Sequence, residues 1–203
     1  MKNLFHVCLL ACLLMLSVSA ATVTFASGDG TATSSTGSIY TITPHPLWGT
    51  IPGALWVSAY AGTGYGGGVI LPNTNDINSP TMSFTQQFIL PGTVNTGSLT
   101  VGADDTMAVW LNGDLLKAAN WVQDSVCAAG PIACEQSEIL TLSLDGFLQQ
   151  GSNTLRMDVF QRGGDVSGAT WSFSGSSVPE PATYAMIGAG LLSLAVFRRR
   201  KSS

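Results

Sequence analysis

His45 is the side chain best suited to acid–base chemistry in this 203-residue chain, because the only other histidine, His6, lies in an apolar N-terminal stretch. A nucleophilic triad needs a histidine held between a nucleophile and an acid. His45 instead stands between Pro44 and Pro46, with no acidic residue near it in the sequence. The sequence therefore predicts a solvated loop histidine and no triad.

Carboxylates are the next candidates for chemistry. A glycosidase needs two of them spaced across a cleft, whereas Asp104 and Asp105 are adjacent and would point to opposite faces of a strand. The same pair with Asp114 offers the hard oxygen ligands that calcium prefers. The alternative is that these residues make turns by bonding their own backbone. Turn formation is favoured, a structural calcium ion is the alternative, and no other cofactor is expected.

Aromatic side chains form a third group, since sugars stack on exposed rings. Trp171 and Phe173 alternate along a predicted strand and are expected in the core. Trp48, Tyr65 and Trp121 fall in predicted loops, where binding residues concentrate. These three are the candidate glycan-binding residues, and the alternative is that they cap an edge of the core.

The first 20 residues have the pattern of a signal peptide. Lys2 precedes an almost wholly apolar run from Leu4 to Leu16, and small residues at 17–20 offer a cleavage site after Ala20. This predicts export into an oxidising environment.

Three elements follow one another in the last 26 residues: a Pro-Glu-Pro step, a 16-residue apolar stretch and a block of cations. As a helix the apolar stretch would reach about 24 Å. Local thinning can match that length to a hydrocarbon core of ~30 Å, and the cations should stay cytoplasmic. The residues concerned are Pro179, Glu180 and Pro181, the predicted membrane helix at 182–197, and Arg198, Arg199 and Arg200.

This tail, residues 178–203, closely resembles the PEP-CTERM sorting signal of Gram-negative bacteria that make extracellular polysaccharide. The resemblance implies that exosortase, a membrane-embedded cysteine protease, reads the Pro-Glu-Pro step and removes the tail. It also implies a precursor tethered to the inner membrane, and then a protein at the cell surface or outside the cell. The alternative is an ordinary membrane anchor.

Residues 21–177 are long enough for one domain with its own core. They carry three cations, Lys117, Arg156 and Arg162, against eleven acidic residues, a net charge of −8, whereas the whole chain is at −4. Phosphate neutralisation needs clustered cations, so nucleic acid is excluded as a partner. Neutral glycans, divalent cations or simple solubility remain.

Cys127 and Cys134 are the only cysteines outside the predicted signal peptide. In an exported chain this pair is expected to form a disulfide around Gly130 and Pro131. Loop closure for so small a ring contributes about 2.5 kcal/mol at best. A zinc site is not expected, because the chain lacks the histidine partners for one.

The middle of the chain has the pattern of β-structure throughout. Short alternating apolar runs are separated by turn residues, and Asn112-Gly113 is the strongest hairpin signal. The predicted strands are 38–43, 54–60, 82–90, 98–103, 106–112, 139–144, 154–161 and 169–174. This pattern predicts an all-β, jelly-roll-like β-sandwich at residues 21–177.

A second resemblance covers roughly residues 81–176. The run SLTVGADDTMAVWLNGDLL and the later segment from Leu148 to Leu155, LQQGSNTL, are similar to a galactose-binding-like jelly roll. There a helical turn at 144–148 is expected to place Phe147 and Leu148 on the core. The resemblance implies no particular ligand, and residues 22–80 rest on strand pattern alone.

The sequence as a whole predicts a non-catalytic exported surface or extracellular-matrix protein that is an exosortase substrate and a candidate carbohydrate binder. The expected partners are the exosortase-type protease, exopolysaccharide and, before processing, the membrane. The alternatives are a secreted hydrolase acting on polysaccharide and a structural adhesin that binds protein partners.

Overall fold

The computed structural model describes residues 20–122 and 127–178, together with Gly190. Most of the predicted signal peptide, the Pro-Glu-Pro step and the cation block lie outside the described residues, as does the predicted membrane helix at 182–197 except for Gly190. Within the described part of the chain, no helix is both long enough and apolar enough to span a membrane.

The described chain is built from strands. There are eleven of them, numbered in chain order: β1 Ala21–Ala26, β2 Thr33–Ser34, β3 Tyr40–Thr41, β4 Val57–Ser58, β5 Met82–Leu90, β6 Thr93–Asp104, β7 Thr106–Leu111, β8 Asp114–Lys117, β9 Leu140–Ser143, β10 Gly151–Phe160 and β11 Gly168–Val178.

The strands form two antiparallel sheets packed face to face. Sheet A has the order β3-β4-β11-β6-β9, with β1 also paired to β11, and sheet B has the order β2-β5-β10-β7-β8. Among the eleven strands, only β3 with β4 and β7 with β8 are consecutive strands of the same sheet, so the chain crosses between the sheets at each of the remaining connections. The predicted all-β, jelly-roll-like sandwich is therefore confirmed.

Six strands, β5, β6, β7, β9, β10 and β11, lie where strands are predicted, and the others depart from the prediction. β5 has its predicted bounds, but the predicted strands at 38–43 and 54–60 shrink to the two-residue strands β3 and β4. Prolines near these segments, Pro44, Pro46 and Pro52, lack the N–H that a ladder needs. β1, β2 and β8 were not predicted.

Aromatic rings fill the space between the sheets. Phe173 stacks on Phe25 with ring centroids 4.6 Å apart and lies 4.7 Å from Phe88. Trp171 packs against Phe84 at 5.1 Å, and both Trp171 and Phe173 are buried, as predicted.

The turn at 144–148 is present but points only one of its two predicted side chains inward. The carbonyl of Leu144 accepts hydrogen bonds from the N–H groups of Phe147 and Leu148. Leu148 is buried, whereas Phe147 is 50% exposed, so the prediction for Phe147 is wrong. Neighbouring residues in one helical turn point in different directions, so they cannot share a core-facing side.

Asn112-Gly113 forms the predicted hairpin between β7 and β8, and both residues have positive φ, 55° and 94°. The Asn112 side chain accepts a hydrogen bond from the N–H of Thr154 at 2.9 Å and donates one to Oδ1 of Asn153 at 3.0 Å. The hairpin is thereby tied to the start of β10.

Candidate functional site

The three aromatic residues predicted to bind glycan lie in different environments. Trp48 is buried and packs on Trp56 with ring centroids 4.2 Å apart, so no sugar can stack on it. Tyr65 is 52% exposed and meets His45 edge-on at 5.0 Å. Trp121 is half-buried and lies against the outer side of sheet B. The structure does not bring these three together.

Sequence reasoning missed the pairing of Trp110 with an arginine. Trp110 on β7 and Arg156 on β10 are cross-strand partners on the outer face of sheet B. The guanidinium carbon of Arg156 lies 4.6 Å from the indole ring centroid, and its Nη2 lies 3.1 Å from Oδ2 of Asp158. The Arg156 side chain remains 47% exposed. Strand alternation places Trp110, Arg156 and Asp158 on one face of the sheet, but only the register of β7 with β10 shows that Trp110 and Arg156 are neighbours.

A second tryptophan–arginine pair lies further along the same face. Trp121 meets Phe160 edge-on at 5.2 Å, and the guanidinium carbon of Arg162 lies 5.2 Å from the Trp121 ring centroid. Nε and Nη1 of Arg162 and Nε1 of Trp110 are buried, and no acceptor for them occurs among the described residues. A buried N–H donor without an acceptor destabilises the folded state unless water or a ligand accepts a hydrogen bond from it.

We call this surface the tryptophan–arginine face. Its members are Trp110, Trp121, Arg156, Asp158 and Arg162. Two of the three cations within 21–177 lie on it. Phe160, against which Trp121 packs, lies four residues along β10 from Arg156, which places it roughly 13 Å from the first pair along the strand.

The outer face of sheet A has a different chemistry. Strand pairing aligns small hydroxyl side chains in two rows, Thr22, Ser176 and Thr96 in the first and Thr24, Ser174, Ser98 and Ser143 in the second. A shallow groove of about 590 Å³ crosses this surface, which we call the hydroxyl face. No aromatic ring lines the groove, so it offers sugars hydroxyl partners without a stacking surface.

Asp104 and Asp105 are buried where the chain passes from sheet A to sheet B. Their side chains are hydrogen-bonded to each other instead of pointing to opposite faces, because the strand ends at Asp104. Oδ2 of Asp105 accepts hydrogen bonds from the N–H groups of Arg162 and Gly163, at 2.5 and 2.8 Å.

The three carboxylates proposed as calcium ligands do not meet. Asp114 is exposed and follows the hairpin at the far end of β7, whereas Asp104 and Asp105 immediately precede that strand. A strand of six residues separates the two ends by about 20 Å. The predicted strand at 106–112 already implies this separation, because it lies between Asp105 and Asp114.

Burial raises the pKa of Asp104 well above 3.8, and the charge and hydrogen bond of Asp105 add to this, while a hydrogen bond from the Trp48 side chain opposes it. The folded state therefore keeps a proton that the unfolded chain loses above about pH 4. This part of the stability is present at low pH and is lost as pH rises toward the raised pKa.

Asp104→Asn removes the ionisable group and keeps its shape. We expect the variant to gain stability relative to the native protein as pH rises from about 4 to about 8. Urea unfolding of both proteins across this range measures the difference, and Asp114→Asn controls for loss of an exposed carboxylate. Parallel stability curves for Asp104→Asn and the native protein would contradict the expectation.

Cys127 and Cys134 are joined by a disulfide, with their Cα atoms 5.8 Å apart. Both are buried in a second apolar cluster with Ile42, Trp48 and Trp56. The two cysteines thus tie the 127–134 loop to the layer that covers one end of the sandwich.

The sorting signal in the tail has a direct match. Residues 177–201 match the family model described as the PEP-CTERM protein-sorting motif. This range contains the Pro-Glu-Pro step, the apolar stretch and the cations that the sequence analysis singled out. The prediction is confirmed: the chain carries the sorting signal of an exported, surface-directed exosortase substrate.

Several solved structures are similar to the sandwich. A family 35 carbohydrate-binding module from Clostridium thermocellum is 13% identical with a TM-score of 0.41, over 76% of this chain and 98% of the module. Its native structure is 15% identical with a TM-score of 0.36, over 75% and 97%. The PA14 domain of the MpAFP antifreeze protein is 17% identical with a TM-score of 0.29, over 50% of each chain. No curated protein sequence matches the chain.

Proposed function

We propose that this protein is a non-catalytic surface or matrix component that holds exopolysaccharide on its tryptophan–arginine face. Before processing, a membrane helix at 182–197 tethers the precursor to the inner membrane of a Gram-negative cell. The observation that carries the binding proposal is the pair of tryptophans on one face of sheet B, each with an arginine beside its ring.

The groups on this face suit a sugar. Sugars present adjacent hydroxyls that both donate and accept hydrogen bonds, together with apolar C–H surfaces. Arg156 offers several N–H donors, and Trp110 supplies an apolar ring beside them. The salt bridge and the ring hold the guanidinium in place, so little side-chain entropy remains to be lost on binding.

A hydrolase is less well supported. Acid–base glycoside hydrolysis uses two carboxyl groups flanking a bond in an accessible site. Asp104 and Asp105 are only 3% exposed and are hydrogen-bonded to each other, so they offer no access to a polysaccharide. The charged groups of the tryptophan–arginine face are better suited to holding a ligand than to cleaving it.

The test is retention of the released protein on the producing organism's own polysaccharide. We expect retention that free sugar competes away, and a loss of about tenfold or more in affinity for Trp110→Ala and for Arg156→Ala. Ser174→Ala on the hydroxyl face is the matched control, because it lies on the other sheet and removes one exposed polar group. It should bind as the native protein does.

The outcomes separate the alternatives. Loss of binding in Ser174→Ala but not in Arg156→Ala would move the site to the hydroxyl face. Native protein that flows through would remove the carbohydrate proposal and favour the adhesin, which binds protein partners. Reducing ends appearing in the polysaccharide during incubation would favour the hydrolase.

A further inference from the structure

The disulfide has an acidic neighbour that the sequence could not reveal. A carboxylate oxygen of Asp104 and the two sulfurs of Cys127 and Cys134 lie within 4.8 Å of one another, and all three residues are buried. Among the described residues, these three are the group of potential metal ligands whose ligand atoms lie close enough to hold one ion. A histidine-based zinc site was excluded for lack of partners, but a carboxylate is also a zinc ligand.

Backbone hydrogen bonds hold the 127–134 loop independently of its disulfide. The carbonyl of Cys134 accepts from the N–H of Gly49 at 2.7 Å, and that of Ala133 accepts from the N–H of Ala103 at 3.1 Å. The carbonyl of Ile132 accepts from the Thr106 hydroxyl at 3.1 Å. These bonds hold the Cys134 end of the loop on β6 and β7, and near the Cys127 end the N–H of Ala129 donates to the carbonyl of Val122 at 2.6 Å, so the cysteines should stay close after reduction.

We propose that, when the disulfide is reduced, Cys127, Cys134 and Asp104 bind a thiophilic divalent cation such as zinc. Two Zn–S bonds of about 2.3 Å at a tetrahedral angle place the sulfurs roughly 3.8 Å apart. Cα atoms 5.8 Å apart allow that separation with only side-chain rotation. Either the disulfide bond or the metal ion can then join Cys127 to Cys134. This proposal does not depend on glycan binding.

The chemistry balances with a dithiol as reductant. The dithiol gives two electrons and two protons to the sulfurs, the S–S bond breaks, and the dithiol closes into its own cyclic disulfide. The cation then displaces the protons of both thiols and of the Asp104 carboxyl. A small-molecule disulfide forms the S–S bond again by thiol–disulfide exchange: it takes the two electrons and leaves as two thiolates, and the cation, having lost two ligands, is released.

The surroundings support the carboxylate as a ligand. The Trp48 side chain and Asp105 both hydrogen-bond to Asp104, as the outer partners of metal ligands commonly do. Two thiolates and one carboxylate carry a charge of −3, and a divalent cation reduces this to −1, so less negative charge is buried. A water molecule can supply the fourth position of a tetrahedral site.

Cobalt provides a direct readout, because thiolate coordination gives it a charge-transfer absorption band. The full chain is used with Cys8→Ser and Cys12→Ser in every sample, so that only two cysteines remain. After dithiol reduction we expect one equivalent of cobalt to bind, zinc to displace it and an oxidant to release it. Cys127→Ser should abolish the band.

Asp104→Asn decides whether the carboxylate is a ligand, and we expect at least about tenfold weaker cobalt binding. His45→Ala is the control for coordination by the imidazole within residues 21–177 and should bind normally. If near-ultraviolet circular dichroism shows that Asp104→Asn has lost its fold, Asp104→Cys replaces it and should intensify the band. Reduced native chain without the band, or an Asp104→Asn that folds and binds as tightly, would overturn the proposal.

Discussion

Replacing Pro179 and Pro181 by alanine is expected to stop release of the protein and to leave its precursor in the membrane fraction. Both prolines lie within the matched sorting motif, 177–201. Proline fixes φ near −65°, has no N–H and pushes the preceding residue toward extended backbone. The double substitution removes all three properties from the segment that a protease must recognise as an extended chain.

The effect should be large because a recognition pocket that loses its fitted group typically loses roughly tenfold to 200-fold in selectivity. Two such positions are changed at once. The measurement is the ratio of released to membrane-bound protein, by immunoblot of culture medium and washed membranes. Retention in the membrane also requires that the apolar stretch at 182–197 still anchors the chain.

Pro52→Ala is the matched control, since it removes a proline from an exposed loop far from the tail in sequence. That variant should be released normally. Normal release of the Pro179→Ala, Pro181→Ala protein would show that the triplet is not what the protease reads. Loss of the protein from both fractions would instead indicate degradation, and pulse labelling distinguishes that from retention.

Local patterns in the sequence predicted the parts of the fold that depend on neighbours in the chain. Alternation placed β5 with its correct bounds and put Trp171 and Phe173 in the core. The Asn112-Gly113 turn followed from two residues that tolerate positive φ. The sorting tail was equally readable, because its three elements are contiguous.

The candidate sites depend on contacts between distant parts of the chain, and single-sequence reasoning missed them for that reason. Trp110 and Arg156 become partners only through the register of β7 with β10. Asp104 approaches Cys127 and Cys134 only because the 127–134 loop folds back onto the end of β6. In each case the residue types were visible, but their pairing was not.

Loop position was also a poor guide to exposure. Trp48 was expected to be available to a ligand because it lies outside the strands, but it packs between Trp56 and the disulfide loop. A loop that crosses the open end of a sandwich must cover the edge of the core, and large rings do this efficiently. Trp48 therefore caps an edge of the core, which is the alternative to glycan binding predicted from the sequence for these loop aromatics.

Phe173→Ala is expected to destabilise the sandwich by about 3–5 kcal/mol, the usual range for truncating a buried phenylalanine. The ring is 1% exposed and contacts Phe25 and Phe88, with centroids 4.6 and 4.7 Å away. The contact with Phe88 joins β11 in sheet A to β5 in sheet B, whereas Phe25 is the neighbour of Phe173 within sheet A, so the cavity would open between the two layers. The free energy of unfolding of a domain this size is about 5–15 kcal/mol in total, so the loss is a large share of its stability.

Phe147→Ala is the matched control, because it removes the same side chain from a site that is 50% exposed. Urea unfolding should show the full loss for Phe173→Ala and a loss within about 0.5 kcal/mol for Phe147→Ala. The melting temperature of Phe173→Ala should fall by roughly 10 °C at 2–4 °C per kcal/mol. Equal losses in the two variants would contradict a core centred on Phe173, and the turn at 144–148 would then have to pack Phe147 inward as the sequence first suggested.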